Sequence, residues 1–119
     1  NMNEITTAVR HNIPIIQVVD NNHVLGMVRQ WQDLFYDERY SATVLRDKVD
    51  FVKLAEAMGA EGVRAESQEE FRSAFAEALK ADHPVVIDCQ IDSDDKVWPM
   101  VAPGAPISDA FDEDDLAKK

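Results

Sequence analysis

Ile13-Pro14-Ile15-Ile16-Gln17-Val18-Val19 is an apolar, largely β-branched run that gives way at once to Asp20-Asn21-Asn22-His23-Val24-Leu25-Gly26-Met27-Val28-Arg29-Gln30-Trp31. The run reads as a strand from Pro14 to Val19, buried on both faces in a parallel sheet. Asp20, Asn21 and Asn22 tolerate turn geometry and are expected to end it. From Gly26 to Tyr36 the residues Met27, Trp31, Leu34 and Phe35 recur at i, i+4, i+7 and i+8, which predicts a helix with one broad apolar stripe. On periodicity alone such a stripe is core rather than the wall of a ligand site. The polar groups between strand and helix fall at the carboxyl end of the strand, the edge where open α/β sheets bind ligands.

Upstream, Asn3 to Asn12 puts Ile5, Ala8 and Val9 at helical spacing, with Asn3 as N-cap and Asn12 near the stop. Downstream, Tyr36 to Lys48 has mixed charge and little pattern and reads as a surface connection, long for a loop and expected to be mobile. Asp50 caps a helix in which Phe51, Leu54, Ala55 and Met58 share a face, and Gly59 stands where a left-handed residue belongs. Gly62 to Ala65 reads as a short strand. Ser67-Gln68-Glu69-Glu70 is a capping box before a helix that buries Phe71, Ala74, Phe75, Ala78 and Leu79. His83-Pro84 breaks that helix, and Pro84 to Ile91 is a third strand. The order predicts an α/β fold with three layers, a parallel sheet carrying helices on both faces. It also predicts a domain over residues 1–92 and a C-terminal tail over 93–119. Pro99, Pro103 and Pro106 deny the tail a regular element, while its Trp98 and Met100 call for a surface to cover. The segment Asp109 to Lys119 is expected to fray.

With 119 residues the chain is one domain at most, and its net charge of −11 excludes the basic footprint of a nucleic-acid or anionic-membrane binder. A phosphate ligand would need a metal cation or backbone N–H groups to supply positive potential. The single Cys89 sits in an apolar run, which excludes a disulfide framework and reads as a small buried hydrophobe. No apolar run is long enough to span a membrane, and the expectation is a cytoplasmic protein.

Acid-base candidates are few. His11 and His83 fall at helix ends, where a solvated or capping role is the default. His23 has no second His or carboxylate at metal-ligand spacing. Asp88 lies mid-strand as a buried carboxylate whose partner the sequence does not identify. The acidic runs Asp92 to Asp95 and Asp112 to Asp115 lack the spacing of a calcium loop and read as solvated charge. A carboxamide oxygen is a hard, neutral donor suited to Mg²⁺, although on the residues alone Asn21-Asn22 read first as plain turn formers.

The run Asn21-Asn22-His23-Val24-Leu25-Gly26-Met27-Val28-Arg29-Gln30-Trp31-Gln32, with Leu34-Phe35-Tyr36 after it, resembles the thiamine-diphosphate-binding domain of the acetolactate synthase (acetohydroxyacid synthase) catalytic subunit. The resemblance continues through Asp50-Phe51-Val52-Lys53-Leu54-Ala55, Pro84-Val85-Val86-Ile87-Asp88 and Trp98-Pro99-Met100-Val101-Ala102-Pro103-Gly104. Asp20 departs from it, standing where the family more often has an apolar residue.

The resemblance implies thiamine diphosphate and Mg²⁺ as cofactors, with Asn22 giving its side-chain oxygen and Val24 its backbone carbonyl to the metal. Asn22, Val24, Gly26 and Met27 would bind the cofactor, and Met27, Val28 and Trp31 would line the substrate channel, over which Trp98 to Gly104 would close. It further implies decarboxylation of pyruvate and condensation with a second 2-ketoacid in branched-chain amino acid biosynthesis. For the intact enzyme it implies FAD bound elsewhere, a homo-oligomer and a regulatory small subunit. The family's thiamine motif begins with Gly-Asp-Gly, expected upstream of Asn1, so the chain reads as the C-terminal portion of the cofactor domain and inert alone. Two other readings stand beside this one: part of another thiamine-dependent decarboxylase or carboligase, and a non-catalytic, self-associating α/β domain.

Overall fold

The computed structural model describes residues 2–46 and 49–116. Asp47 and Lys48, the end of the expected surface connection, and residues 117–119 of the expected frayed end lie outside the described residues. The chain forms two compact units, Asn1–Asn22 with Arg46–Asp92 and His23–Leu45 with Ser93–Lys119.

The first unit contains α1 (Asn3–Arg10), β1 (Ile16–Asn21), α3 (Phe51–Ala57), β2 (Glu61–Ala65), α4 (Gln68–Ala78) and β3 (Val85–Gln90). Its three strands run parallel in the order β1-β3-β2. The chain crosses from β1 to β2 in one direction and returns to β3 in the other. Crossovers of a single hand then place their helices on opposite faces. Ile5 of α1 and Ala55 of α3 pack with Val86 on one face, and Phe71, Phe75 and Ala78 of α4 pack with Val85 and Ile87 on the other. The alternation of Val85, Val86 and Ile87 between two cores is the period-two signature of a strand covered on both sides.

That double burial belongs to β3, not to β1. The run after Pro14 was expected to lie in the sheet interior. Instead β1 is an edge strand of this sheet, with Gln17, Val18 and Asp20 exposed. It also begins and ends later than the apolar pattern suggests. Asp20 and Asn21 are strand residues, in register with Cys89 and Gln90, rather than a turn. The pairing with β3 decides this, since a ladder already formed extends through residues of low strand propensity.

Helix ends follow local chemistry with three corrections. Asp50 accepts from the Lys53 amide at 3.2 Å and Ser67 from the Glu70 amide at 3.2 Å, as their sequence positions require. Glu70, however, returns to the Glu66 amide at 2.7 Å, one residue before the cap. Asn3 is not the N-cap of α1; Met2 is, and no side chain caps it. Leu79 closes α4 at its C-cap and is 66% exposed, because it falls past the stripe that faces the sheet. Gly59 adopts φ +87° after α3, the left-handed position that favours glycine.

The second unit contains α2 (Gly26–Phe35), a single 3₁₀ turn at Ile107–Asp109 and α5 (Glu113–Leu116). An antiparallel bridge joins Val24 to Val44, and another joins Met100 to Phe111. The acidic run at 112–115 is not merely solvated: Asp112 and Asp115 cap each other's amides at 3.2 Å and close the turn that starts α5. Among the described residues no helix is long and apolar enough to cross a membrane.

Gly62 on β2 makes the approach of α3 possible. A Cβ there would stand 2.7 Å from the Val52 carbonyl oxygen and 2.9 Å from its Cα, both backbone atoms that cannot swing aside. Gly62→Ala should therefore lower stability by about 2–3 kcal/mol, read as a shift of the urea midpoint at unchanged m-value.

Candidate functional site

In the first unit, the carboxyl end of the sheet is organised by Asp88. Its carboxylate is 1% exposed and accepts from Asn21 Nδ2 and Gln90 Nε2, both at 2.9 Å, and from Arg64 Nε at 3.4 Å. Arg64, in register with Asp88 on β2, also reaches the α3 cap Asp50 at 3.2 Å. The partner that the sequence left open is thus supplied by both neighbouring strands. The two adjacent carboxamides consequently differ in role: Asn21 is a buried tie within the sheet, and Asn22 follows it directly beyond the last ladder residue. Cys89 is half-buried, and burial followed by the nearby Asp20 and Asp88 charges pushes its thiol pKa up, away from nucleophilic use.

In the second unit, His23 takes a left-handed backbone (φ +56°) and Val24 is buried. The bridge to Val44 is closed by the Leu25 amide donating to the Thr43 carbonyl and the Leu45 amide donating to the His23 carbonyl, at 2.8 and 2.9 Å. Leu25 is the N-cap of α2, and neither a capping side chain nor an acidic residue in the first turn serves that helix start. Its leading amides therefore present the positive end of a helix dipole. Among the described residues, the buried Thr43 hydroxyl has no hydrogen-bond partner.

Helix α2 has two distinct faces. Met27, Val28, Trp31, Gln32, Tyr36 and Arg39 line an open groove of about 610 Å³. Met27 and Val28 are 49% and 51% exposed, so of the apolar stripe expected to be core Met27 and Trp31 line a groove instead, while Leu34 and Phe35 are half-buried. Trp31 is held edge-on to Phe35 with ring centroids 5.6 Å apart, and Phe35 meets Phe111, which meets Trp98. Trp98 is thus seated against Phe111, and the groove lining comes from α2 and the segment after it. Gly26 opens the helix in a small polar cleft with Arg29, Asp33, Asp94 and Lys96.

The opposite face is polar and pinned. Gln30, 4% exposed, donates to the Val97 carbonyl and accepts from the Val97 amide, both at 2.9 Å. Arg29 pairs with Asp94 at 2.6 Å and lies over the Tyr40 ring at 4.1 Å. Asp33 accepts from the Tyr40 hydroxyl and pairs with Lys96, both at 2.8 Å. The Lys96 and Tyr40 hydrogen bonds hold the Asp33 carboxyl below its usual range, and the bond to Asp33 raises the Tyr40 phenol. Nothing local in the sequence marks Gln30, since its partner is 67 positions away. The i, i+4 placement of Arg29 and Asp33 is the one legible hint of a charged face.

His83 is neither solvated alone nor a cap. Its Nε2 lies 2.7 Å from Glu61 Oε2 and its Nδ1 3.1 Å from Asp82 Oδ1. Among the described residues no cluster of three His, Cys, Asp or Glu side chains could hold a metal.

The sequence profile of the thiamine pyrophosphate enzymes' C-terminal TPP-binding domain matches residues 1–89. The chain belongs to that family. It is 40% identical over 113 residues to the acetolactate synthase isozyme 2 large subunit of Escherichia coli, covering 95% of this chain and 21% of that protein. It is 48% identical over 106 residues to the acetolactate synthase of Mycobacterium bovis, covering 85% of this chain and 17% of that one. The chain therefore spans about a fifth of the length of the curated relatives it matches. Among solved structures, the thiamine diphosphate-dependent 4-hydroxybenzoylformate decarboxylase of Rhodococcus jostii superposes with a TM-score of 0.68 at 27% identity, over 76% of this chain and 17% of that one. The benzoylformate decarboxylase of Polynucleobacter necessarius gives 0.69 at 26% identity, over 83% and 18%. These neighbours and the sheet described above make the chain an α/β domain of the thiamine enzymes.

Two consequences are measurable. The hydrogen bonds from His83 to Glu61 and then Asp82 raise its pKa above the ordinary 6.5. Its contribution to stability is complete below about pH 6.5 and lost as pH rises through the raised folded value. The stability gap between wild type and His83→Gln should be open near about pH 6 and closed near about pH 9 in urea titrations. Gln30→Ala removes both ties to Val97 and should cost about 1–3 kcal/mol, with faster amide exchange at residues 96–98 as the local readout.

Proposed function

We propose that this chain supplies the thiamine-diphosphate- and Mg²⁺-binding half-site of an acetolactate synthase catalytic subunit. The observation that carries the reading is the exposed apolar wall of α2, where Met27, Val28 and Trp31 line a groove on the helix that follows Asn22 and Val24. Buried apolar stripes are ordinary; a half-exposed one beside an uncapped helix start is the composition of a ligand site.

The donor chemistry fits the metal. Asn22 offers a carboxamide oxygen and Val24 a main-chain carbonyl, both hard and neutral, and Mg²⁺ completes its shell with phosphate oxygens and water. The leading amides of α2, at Gly26 and Met27, face no acidic side chain of their own first turn and suit an anionic group. In a chain of net charge −11, metal and backbone dipoles are the sources of positive potential left for a diphosphate.

When bound, thiamine diphosphate supplies the electron sink that lets a 2-ketoacid lose CO₂ and join a second 2-ketoacid. This chain's own residues hold and shield. Asn22 and Val24 anchor the metal, Met27 and Val28 exclude water from the reacting end, and Trp31 gives the second 2-ketoacid an apolar surface. The setting is the cytoplasm of the cell that makes branched-chain amino acids.

A second reading, a thiamine-dependent decarboxylase, is favoured by the two structural neighbours, both described as decarboxylases. The two part on product. With pyruvate, thiamine diphosphate and Mg²⁺, the protein as naturally expressed should yield acetolactate; release of acetaldehyde as the main product would favour the second reading. Asn22→Ala should raise the Mg²⁺ concentration needed for half-saturation by at least about tenfold, and an unchanged requirement would remove Asn22 from the metal.

A further inference from the structure

Asp88 lies in register with Val19 of β1 and Arg64 of β2, and its two carboxylate oxygens are divided between its neighbours. Oδ2 takes Arg64 Nε at 3.4 Å, while Oδ1 takes Asn21 Nδ2 and Gln90 Nε2, each at 2.9 Å. Asn21 and Gln90 are themselves the last pair of the ladder between β1 and β3, two residues beyond Asp88 and on the same side of the sheet. A second tie holds Asn21 by its main chain, whose carbonyl accepts from the Ile91 amide at 3.2 Å. Side chain and backbone of Asn21 are thus both fixed to the central strand. The side-chain tie runs to a charge that is almost fully removed from water, where a lost donor is costly. The last residue of an edge strand ordinarily frays into solvent; this one is locked. The residue that follows the lock is Asn22.

We infer that Asn21 is a positioning residue for the metal site: anchored to Asp88, it fixes the end of β1 so that Asn22 is held where it ligates Mg²⁺. This rests on the role proposed for Asn22 above and adds to it the support beneath the ligand. A short side chain goes where its own backbone sends it, so a ligand next to a locked residue keeps its place before the metal arrives. Mg²⁺ tolerates little departure from octahedral positions and gains most from such support. The other arm of the cluster runs from Asp88 through Arg64 to Asp50, joins β2 to α3 and leads away from Asn22. One buried carboxylate therefore has two duties: stability alone on the β2 side, and stability with metal placement on the β1 side.

The test uses the protein as naturally expressed and measures the Mg²⁺ concentration that half-saturates thiamine diphosphate binding, followed by tryptophan fluorescence well below the melting range. The melting temperature without metal or cofactor is the second readout. Asn21→Ala should raise the Mg²⁺ requirement about tenfold. Asn21→Ser, whose hydroxyl ends one bond short of the amide nitrogen, should raise it as well. Arg64→Gln cuts the opposite arm; it should lower the melting temperature yet leave the Mg²⁺ requirement within about twofold of wild type. An unchanged requirement in both Asn21 variants overturns the inference. So does an equal rise in Arg64→Gln, which would make the effect a general loosening of the sheet. Asn22→Ala separates the two levels: no rise there removes the ligand itself, whereas a rise there without one in the Asn21 variants removes the positioning role alone.

Discussion

A buried carboxylate on the central strand governs the first unit. Asp88 lies in the middle of a three-stranded parallel sheet, almost fully removed from water. Such a charge is tolerated only where donors replace its hydration. Here they come from Asn21 on β1, Arg64 on β2 and Gln90 on β3 itself. One group therefore reads the register of both neighbouring strands at once. A one-residue slip of either would turn its donor to the other face and leave the charge uncompensated. The same contact fixes where β1 ends, and with it the point at which Asn22 leaves the ladder.

The second unit is governed by a division of labour around α2. Its polar face is bound to residues 94–97 by a two-point tie at Gln30 and ion pairs at Arg29 and Asp33. Its apolar face remains half-exposed along the groove. This inverts the usual arrangement of a surface helix, in which the apolar side is inward. The inversion costs buried apolar area, which the polar ties and the aromatic series from Trp31 to Trp98 offset. Exposed apolar surface of this kind marks a place that a ligand or a partner covers.

Local signals were legible where local physics decides the outcome. Asp50, Ser67 and Gly59 announce their caps because capping needs only neighbouring amides or a left-handed φ. Periodicity located every strand and the longer helices to within a few residues. It failed for the burial of β1 and for Met27 and Trp31 in the stripe of α2, since burial depends on what lies against an element and periodicity reports only which residues share a face. Asn3 misled because a good capping residue is useless inside the helix it was meant to start.

From the residues alone come the alternation of elements, the α/β class and the likeness to acetolactate synthases carried by Asn21 to Gln32. These depend on interactions within one turn or one strand, or on residue identity itself. Tertiary structure alone decided that β3 rather than β1 is central, that Asn21 serves Asp88, that Gln30 binds Val97, and that the Thr43 carbonyl takes the Leu25 amide at the start of α2. Each of these joins residues distant in sequence, and no local preference encodes a partner that only the folded chain brings near.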